Sequence, residues 1–320
     1  MTNTRSLWDA AAGDGRPFLI FTGLILLLTG LLVIVQSLTG HFLPHDVAFL
    51  GMDAYQLTEM QNGTIAQFMF HDRISFGGSI LAVGLLYMWM AEFPLKQQEP
   101  WAWYLFLFSG VIGFASFLSY LGYGYLDTWH GMATLLLLPF FVIGMIRSYP
   151  LVRGAKWKSV FSKRNDFSLR SAHGVGIALL LFSSVGMFAA GITISIVGMT
   201  SVFVPQDLEF MNITVCGIDQ LNPRLKPLIA HDRAAFGSGL AVIGLLFFFI
   251  LRCAEHNISL WQIMALALSV GFLTALGVHY WVGYTNFIHL LPAYFGACTS
   301  ALGLVLTYKK MTQPHTYVLS

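Results

Sequence analysis

His71-Asp72-Arg73-Ile74-Ser75-Phe76-Gly77 and His231-Asp232-Arg233-Ala234-Ala235-Phe236-Gly237 are two copies of one motif, set 160 residues apart in a chain of 320. Two further pairs flank it in the same order. Phe42-Leu-Pro-His-Asp-Val-Ala-Phe49 recurs as Phe203-Val-Pro-Gln-Asp-Leu-Glu-Phe210, and Gly124-Tyr-Leu-Asp-Thr-Trp-His130 recurs as Gly283-Tyr-Thr-Asn-Phe-Ile-His289. The offsets are 161, 160 and 159, so the register slips by one residue from motif to motif. Gly30 and Gly191 match in the same way, as do Gly84 and Gly244. Three motifs in one order predict a chain made of two tandem copies.

Composition sets the medium in which those copies fold. Hydrophobic residues make up 56% of the chain and charged residues only 10%, far from the roughly 25% charged of soluble domains. This argues against a soluble enzyme or a nucleic-acid binder. A membrane span needs about 20 mostly apolar residues. Eight stretches qualify, at 17–38, 70–91, 101–121, 129–147, 172–198, 231–252, 259–281 and 287–308. Backbone groups in hydrocarbon must be satisfied within the segment, so these runs are helices. The first reads as a retained span and not as a cleaved signal, because no short apolar region with a cleavage site precedes it.

Of the 17 Lys and Arg residues, 13 fall at the termini or in the connections after spans 2, 4 and 6. The positive-inside rule puts that side, with both termini, in the cytoplasm, and the protein in the cell membrane. The expected fold is all-α and integral to the membrane, with eight transmembrane helices as two tandem parallel four-helix bundles. Residues 1–147 form the first repeat with its N-terminal tail, 148–171 a basic cytoplasmic linker, 172–308 the second repeat and 309–320 the C-terminal tail. An even number of spans per copy keeps both copies in one orientation, which implies a pseudo-twofold axis along the membrane normal. The long outer loops, about 39–70 and 199–230, are poor in Lys and Arg and carry the acids Asp46, Asp53, Glu59, Asp207, Glu209 and Asp219. Loops of that length either cap a site or simply connect helices.

Ionisable side chains at membrane depth are costly and mark functional sites by default. Here they lie in the repeated motifs. His71 and His231 open spans 2 and 6, and His130 and His289 open spans 4 and 8, all from the outer face. Two histidines on separate helices at matched depth can ligate one metal. Below His71 and His289, one and two turns on, stand Ser75 and Gly78, and Ala293 and Gly296. Such small residues leave room for a flat macrocycle, and equally suit plain close packing. Arg73 and Arg233 are candidates to clamp a porphyrin propionate in two-pronged geometry. Asp72, Asp232 and Asp127 are candidates to pair with an arginine or orient an imidazole from behind. His45, replaced by Gln206 in the second copy, and His279, aligned with Tyr120, fall outside the shared set, and His41, His173, His256 and His315 read as loop or interface residues. Cys216, Cys253 and Cys298 form no CxxC pair, and the chain has no HExxH, GxSxG or P-loop.

This layout resembles the heme A synthase family of membrane oxidases, which also has two tandem four-helix units with paired histidines on the second and fourth helix of each. The resemblance covers spans 1–8 and implies that His71 pairs with His130 and His231 with His289 around haem. That family's glutamate four residues before the histidine is Gln67 or Pro227 here, and its arginine directly after is Asp72 or Asp232. The resemblance therefore implies the architecture and haem ligation, and not the reaction.

The expected function is that of a membrane protein binding haem b through paired histidines, acting in electron transfer or in oxidation of a hydrophobic substrate such as a quinone, lipid or porphyrin. The alternatives are a transporter or lipid-binding protein using the His-Asp-Arg clusters as proton or anion sites, and a structural subunit of a membrane complex. The expected partners are the lipid bilayer and that hydrophobic substrate, with no nucleic acid.

Overall fold

A computed structural model of the chain describes residues Ser6, 12–154 and 168–313. Lys156, Lys158, Lys163 and Arg164 of the basic linker lie outside the described residues, as do Arg5, His315 and the end of the C-terminal tail. The described residues form helices and turns with no strand among them.

Eight helices are long and apolar enough to cross a membrane. They are span 1 (Arg16–Leu38), span 2 (Thr64–Glu92), span 3 (Pro100–Ala115, extended by short turns to Tyr123), span 4 (Thr128–Ser148), span 5 (Ala172–Met199), span 6 (Leu225–Cys253), span 7 (Ile258–Val282) and span 8 (Phe287–Thr312). The chain is thus an all-helical, multi-pass membrane protein. Short helices Pro44–Leu50 and Ala54–Thr58 follow span 1, and Pro205–Met211 and Val215–Leu221 follow span 5. These four lie at one end of the bundle, opposite the described end of the N-terminal region and of span 8.

Spans 2 and 6 form the centre. Over their apolar stretches they are 72% and 67% buried, against 22–33% for the other six. The charged motifs sit on these two helices because only the central pair is shielded from lipid along its length. Span 1 packs along span 2, and span 5 along span 6. A Cβ on Gly30 would meet the Gly77 carbonyl at 2.5 Å, and one on Gly191 would meet the Gly237 carbonyl at 2.6 Å. Backbones approach this closely only where side chains are absent.

The remaining contacts cross between the halves. Span 7 packs on span 2, and span 3 packs on span 6. Gly78 of span 2 admits the Thr274 side chain of span 7, which would overlap any Cβ there. Spans 2 and 6 are also in contact, with Gly239 against Ser79. Each central helix therefore faces outer helices of the other half.

Candidate functional site

The same capping device starts spans 4 and 8. The Asp127 side chain accepts a hydrogen bond from the His130 backbone N–H at 2.9 Å, and Asn286 accepts from that of His289 at 3.0 Å. Each cap leaves the histidine three residues into the helix, facing the central pair.

Two groups of ligand atoms result, each within 4.8 Å of one another. The first joins His71 of span 2, His279 of span 7 and His289 of span 8. The second joins His231 of span 6 with His130 and Asp127 of span 4. The pairing implied by the sequence, His71 with His130 and His231 with His289, is thus replaced by one across the halves. The physical reason is the packing of span 7 on span 2, which turns His71 toward the second half. His279, which aligns with Tyr120 and so stands outside the duplicated set, is the third member of the first group. Its one signal was its place one turn before Gly283, which ends span 7.

In the first group, His71 Nε2 and His279 Nε2 are 2.9 Å apart. His279 Nδ1 stands 2.6 Å from the Ala275 carbonyl oxygen. A carbonyl only accepts, so Nδ1 carries the proton and Nε2 of the neutral ring presents its lone pair to the group. His71 Nδ1 lies 3.1 Å from Asp72 Oδ1. That nitrogen makes no hydrogen bond, so the proton of the neutral His71 ring sits on Nε2 and is donated to the His279 Nε2 lone pair at 2.9 Å, a place that a metal cation would take over from the proton. His289 stacks on Tyr284, ring centroids 4.5 Å apart.

The second group is more self-contained. His231 Nε2 is 3.1 Å from Asp127 Oδ2, and its Nδ1 is 3.1 Å from the Tyr123 hydroxyl. Asp127 Oδ1 also lies 2.9 Å from His45 Nε2. Burial opposes ionisation of Asp127, but its contacts with His231 and His45 and the His130 backbone N–H hold its carboxyl well below the usual range. Burial likewise pulls His45 down, and Asp127 and Asp46 outweigh it to raise that imidazole. The rings of Phe117 and Phe76 close on His130, with centroids 5.4 and 6.5 Å away.

The arginines lie between the groups and are already engaged. Arg73 reaches Asp232 Oδ2 at 2.8 Å and Asp46 Oδ2 at 2.9 Å. Arg233 forks onto Asp207 and lies 3.4 Å from Asp72 Oδ2. Each arginine thus pairs with the aspartate of the opposite motif and with an aspartate from its own half's loop helix. The loop helices act as caps: Tyr125 and Tyr284 donate to Asp46 and Asp207 at 2.7 and 2.8 Å. Asp207, although buried, is held below the ordinary carboxylate range by Arg233, the Val204 N–H and Tyr284. The expectation of a free guanidinium clamp does not match this arrangement, because both forks hold protein carboxylates. Asp46, Asp72, Asp127, Asp207 and Asp232 outnumber the two arginines, so the region has surplus negative charge that favours a cation.

A cavity of about 670 Å³ opens beside the first group, walled by spans 2, 5, 6, 7 and 8. His71, His279 and His289 line its upper end, and Ser75, Ala293 and Gly296 lie below them.

Elsewhere, His173 is buried and its Nε2 lies 3.2 Å from His256 Nδ1 at the opposite end of the bundle. Cys216 is exposed and free. No protein-family model, curated protein or solved structure matches the chain.

Proposed function

We propose that the protein is a membrane oxidoreductase or electron carrier in which His71, His279 and His289 hold a redox-active transition metal beside a cavity for a hydrophobic substrate. One observation carries this reading: the imidazole Nε2 atoms of His71 and His279 lie 2.9 Å apart, and the second ring is fixed from behind by the Ala275 carbonyl. A carbonyl or carboxylate on the far nitrogen is the usual support of a metal-bound histidine.

Three converging imidazoles fit a bare ion with one position left open to substrate. A haem b, which His71 and His289 would hold, is the second reading. The cavity volume and the small residues below the histidines support it, while His279, so close to His71, and the engaged Arg233 fit it less well. The metal supplies the redox chemistry in either case. The protein's part is to orient the imidazoles, keep water out and hold the substrate. The Asp127–His130–His231 group is a second candidate centre of two histidines and a carboxylate. Its His231 already has a partner at each ring nitrogen, so it binds an ion more weakly.

We further propose that spans 1–4 and 5–8 are duplicated four-helix units whose central helices have exchanged partners. The matched Tyr–Asp and Asp–Arg contacts of the two halves support this. The end bearing the termini is proposed as cytoplasmic, from the 13 basic residues on that side.

The test is metal analysis and an absorption spectrum of protein purified from cells supplied with haem and transition metals. A stoichiometric metal without a Soret band supports the bare ion. A Soret band lost in His71→Ala and His289→Ala supports haem. Colourless, metal-free protein overturns both.

A further inference from the structure

The cavity beside the first histidine group carries more information than its volume. Ser75 is 2% exposed, lines the cavity one turn below His71, and its hydroxyl has no hydrogen-bond partner. An unpaired buried hydroxyl costs about 1–3 kcal/mol, so this one is placed to meet a ligand atom. The other hydroxyls along the shaft are spent internally. Ser79 donates to the Ser75 carbonyl at 3.0 Å and Thr193 to the Ala189 carbonyl at 2.9 Å. Ser183 and Thr299 bond each other at 2.7 Å. Below its upper end the shaft therefore presents apolar walls, among them Phe236, Leu240, Ile243, Phe247, Leu268 and Phe272.

Charge at the upper end is also informative. Arg233, the cation lining the cavity, is committed to Asp207 and Asp72, and Asp72 itself faces the cavity. An anionic head would meet that carboxylate, and the one Lys or Arg side chain of the described lining is not free to offset it. An uncharged head with hydrogen-bonding groups fits the imidazoles, Ser75 and Gln206.

The cavity also reaches the lipid-facing surface. Spans 5 and 8 are closely packed at Gly176 and Gly303 and joined by the Ser183–Thr299 bond. The Phe295 ring of span 8 packs edge-on against Phe182 of span 5 with centroids 5.8 Å apart, and beyond that contact, toward the histidines, the cavity wall includes Ile288, which is 71% exposed. Gly186 on span 5 has open space where a Cβ would stand, as does Gly271 on span 7.

We propose that this cavity binds a membrane-dissolved amphiphile with an uncharged, hydrogen-bonding head and one long apolar tail. It enters sideways between spans 5 and 8. The head rests at Ser75 and the histidines, and the tail runs down the shaft toward Phe247. The chemistry is shared by an isoprenoid quinone and a monoacylglycerol. The inference rests on the proposed metal reading only for what lies beside the head.

The test is native mass spectrometry of the full-length protein titrated with decylubiquinone, monoolein or lysophosphatidic acid, with metal content measured on the same samples. One molecule per chain of decylubiquinone or monoolein is expected, and whichever binds identifies the head. Gly186→Phe and Gly271→Phe place a ring against the shaft from spans 5 and 7 and are expected to weaken binding at least about tenfold, as overfilling a packed site does. Ser75→Ala is expected to weaken it about fivefold, the loss of one hydrogen bond. Two filling variants at separate positions guard against a folding defect in either, and an unchanged thermal unfolding temperature in detergent shows that the fold is intact. Equal binding in wild type and both filling variants, or tightest binding of lysophosphatidic acid, overturns the proposal. Binding by metal-free wild type would leave it standing and remove the metal reading. Retained metal without binding would do the reverse.

Discussion

His71 of the first half and His279 of the second meet with their Nε2 atoms 2.9 Å apart, although 208 positions separate them in the chain. The contact exists because span 7 lies on span 2. If these rings share a metal with His289, then His279→Ala should lower metal content as strongly as His71→Ala. Removing even a support behind a ligand costs about 10–100-fold in affinity, so losing a ligand should cost at least that. His130→Ala should have a much smaller effect. Metal per chain by mass spectrometry decides this, and equal loss in His130→Ala would place the tighter centre in the other group.

The crossed ion pairs predict strong coupling between the halves. Arg73 with Asp232 and Arg233 with Asp72 are buried, and breaking such a pair by removing one partner costs about 3–5 kcal/mol. Arg73→Gln should therefore unfold the protein at much lower temperature, and so should Asp232→Asn. Because both substitutions delete one interaction, the double variant should be less destabilised than the sum of the two. Thermal unfolding in detergent measures all three. Simple additivity would mean that the pair contributes no coupling.

Asp207 gives a pH dependence of definite sign. Its carboxyl is buried, and the Arg233 guanidinium holds it below the ordinary value of 3.8. A depressed folded value means that the ionised form contributes stability above the unfolded value, lost as pH falls through the folded one. Wild-type protein should thus lose thermal stability below about pH 4. Asp207→Asn should start less stable at neutral pH and change less over the acidic range. Parallel curves for the two proteins would assign the acid sensitivity to other groups.

The spans and most of the site residues were legible in the sequence, and the partnerships were not. Apolar runs give helices in hydrocarbon whatever they pack against, so eight spans follow from composition and length. The duplicated motifs likewise place His130 and His289 at helix starts, whereas His71 and His231, expected to open spans 2 and 6, lie about two turns inside them because those helices begin earlier, at Thr64 and Leu225. A repeat does not say whether a helix packs within its own copy or on the other. That choice depends on local fits such as Thr274 in the space at Gly78. His279 was hidden because Tyr120 holds its position in the first half. Asp46 and Asp207 stood out as loop acids, but only the fold of the loop helices brings them to Arg73 and Arg233.

Asp127 combines two roles that substitution can separate. Its carboxylate caps span 4 through the His130 N–H and also touches His231 and His45. In the second half Asn286 caps span 8 in the same way without a charge. Asn is as good an N-cap as Asp, whereas Ala at such a position costs typically about 1 kcal/mol. Asp127→Asn should therefore keep the start of span 4 intact while weakening the hold on His231 and His45. Asp127→Ala should lose both. The difference between the two variants in thermal stability isolates the cap and should be about 1 kcal/mol. The imidazole resonances of His45 should move to a lower pKa in both variants, since the carboxylate that raises it is gone. If the resonances shift in Asp127→Ala alone, the charge is not what holds His45, and the network around His231 is organised by the helix start instead.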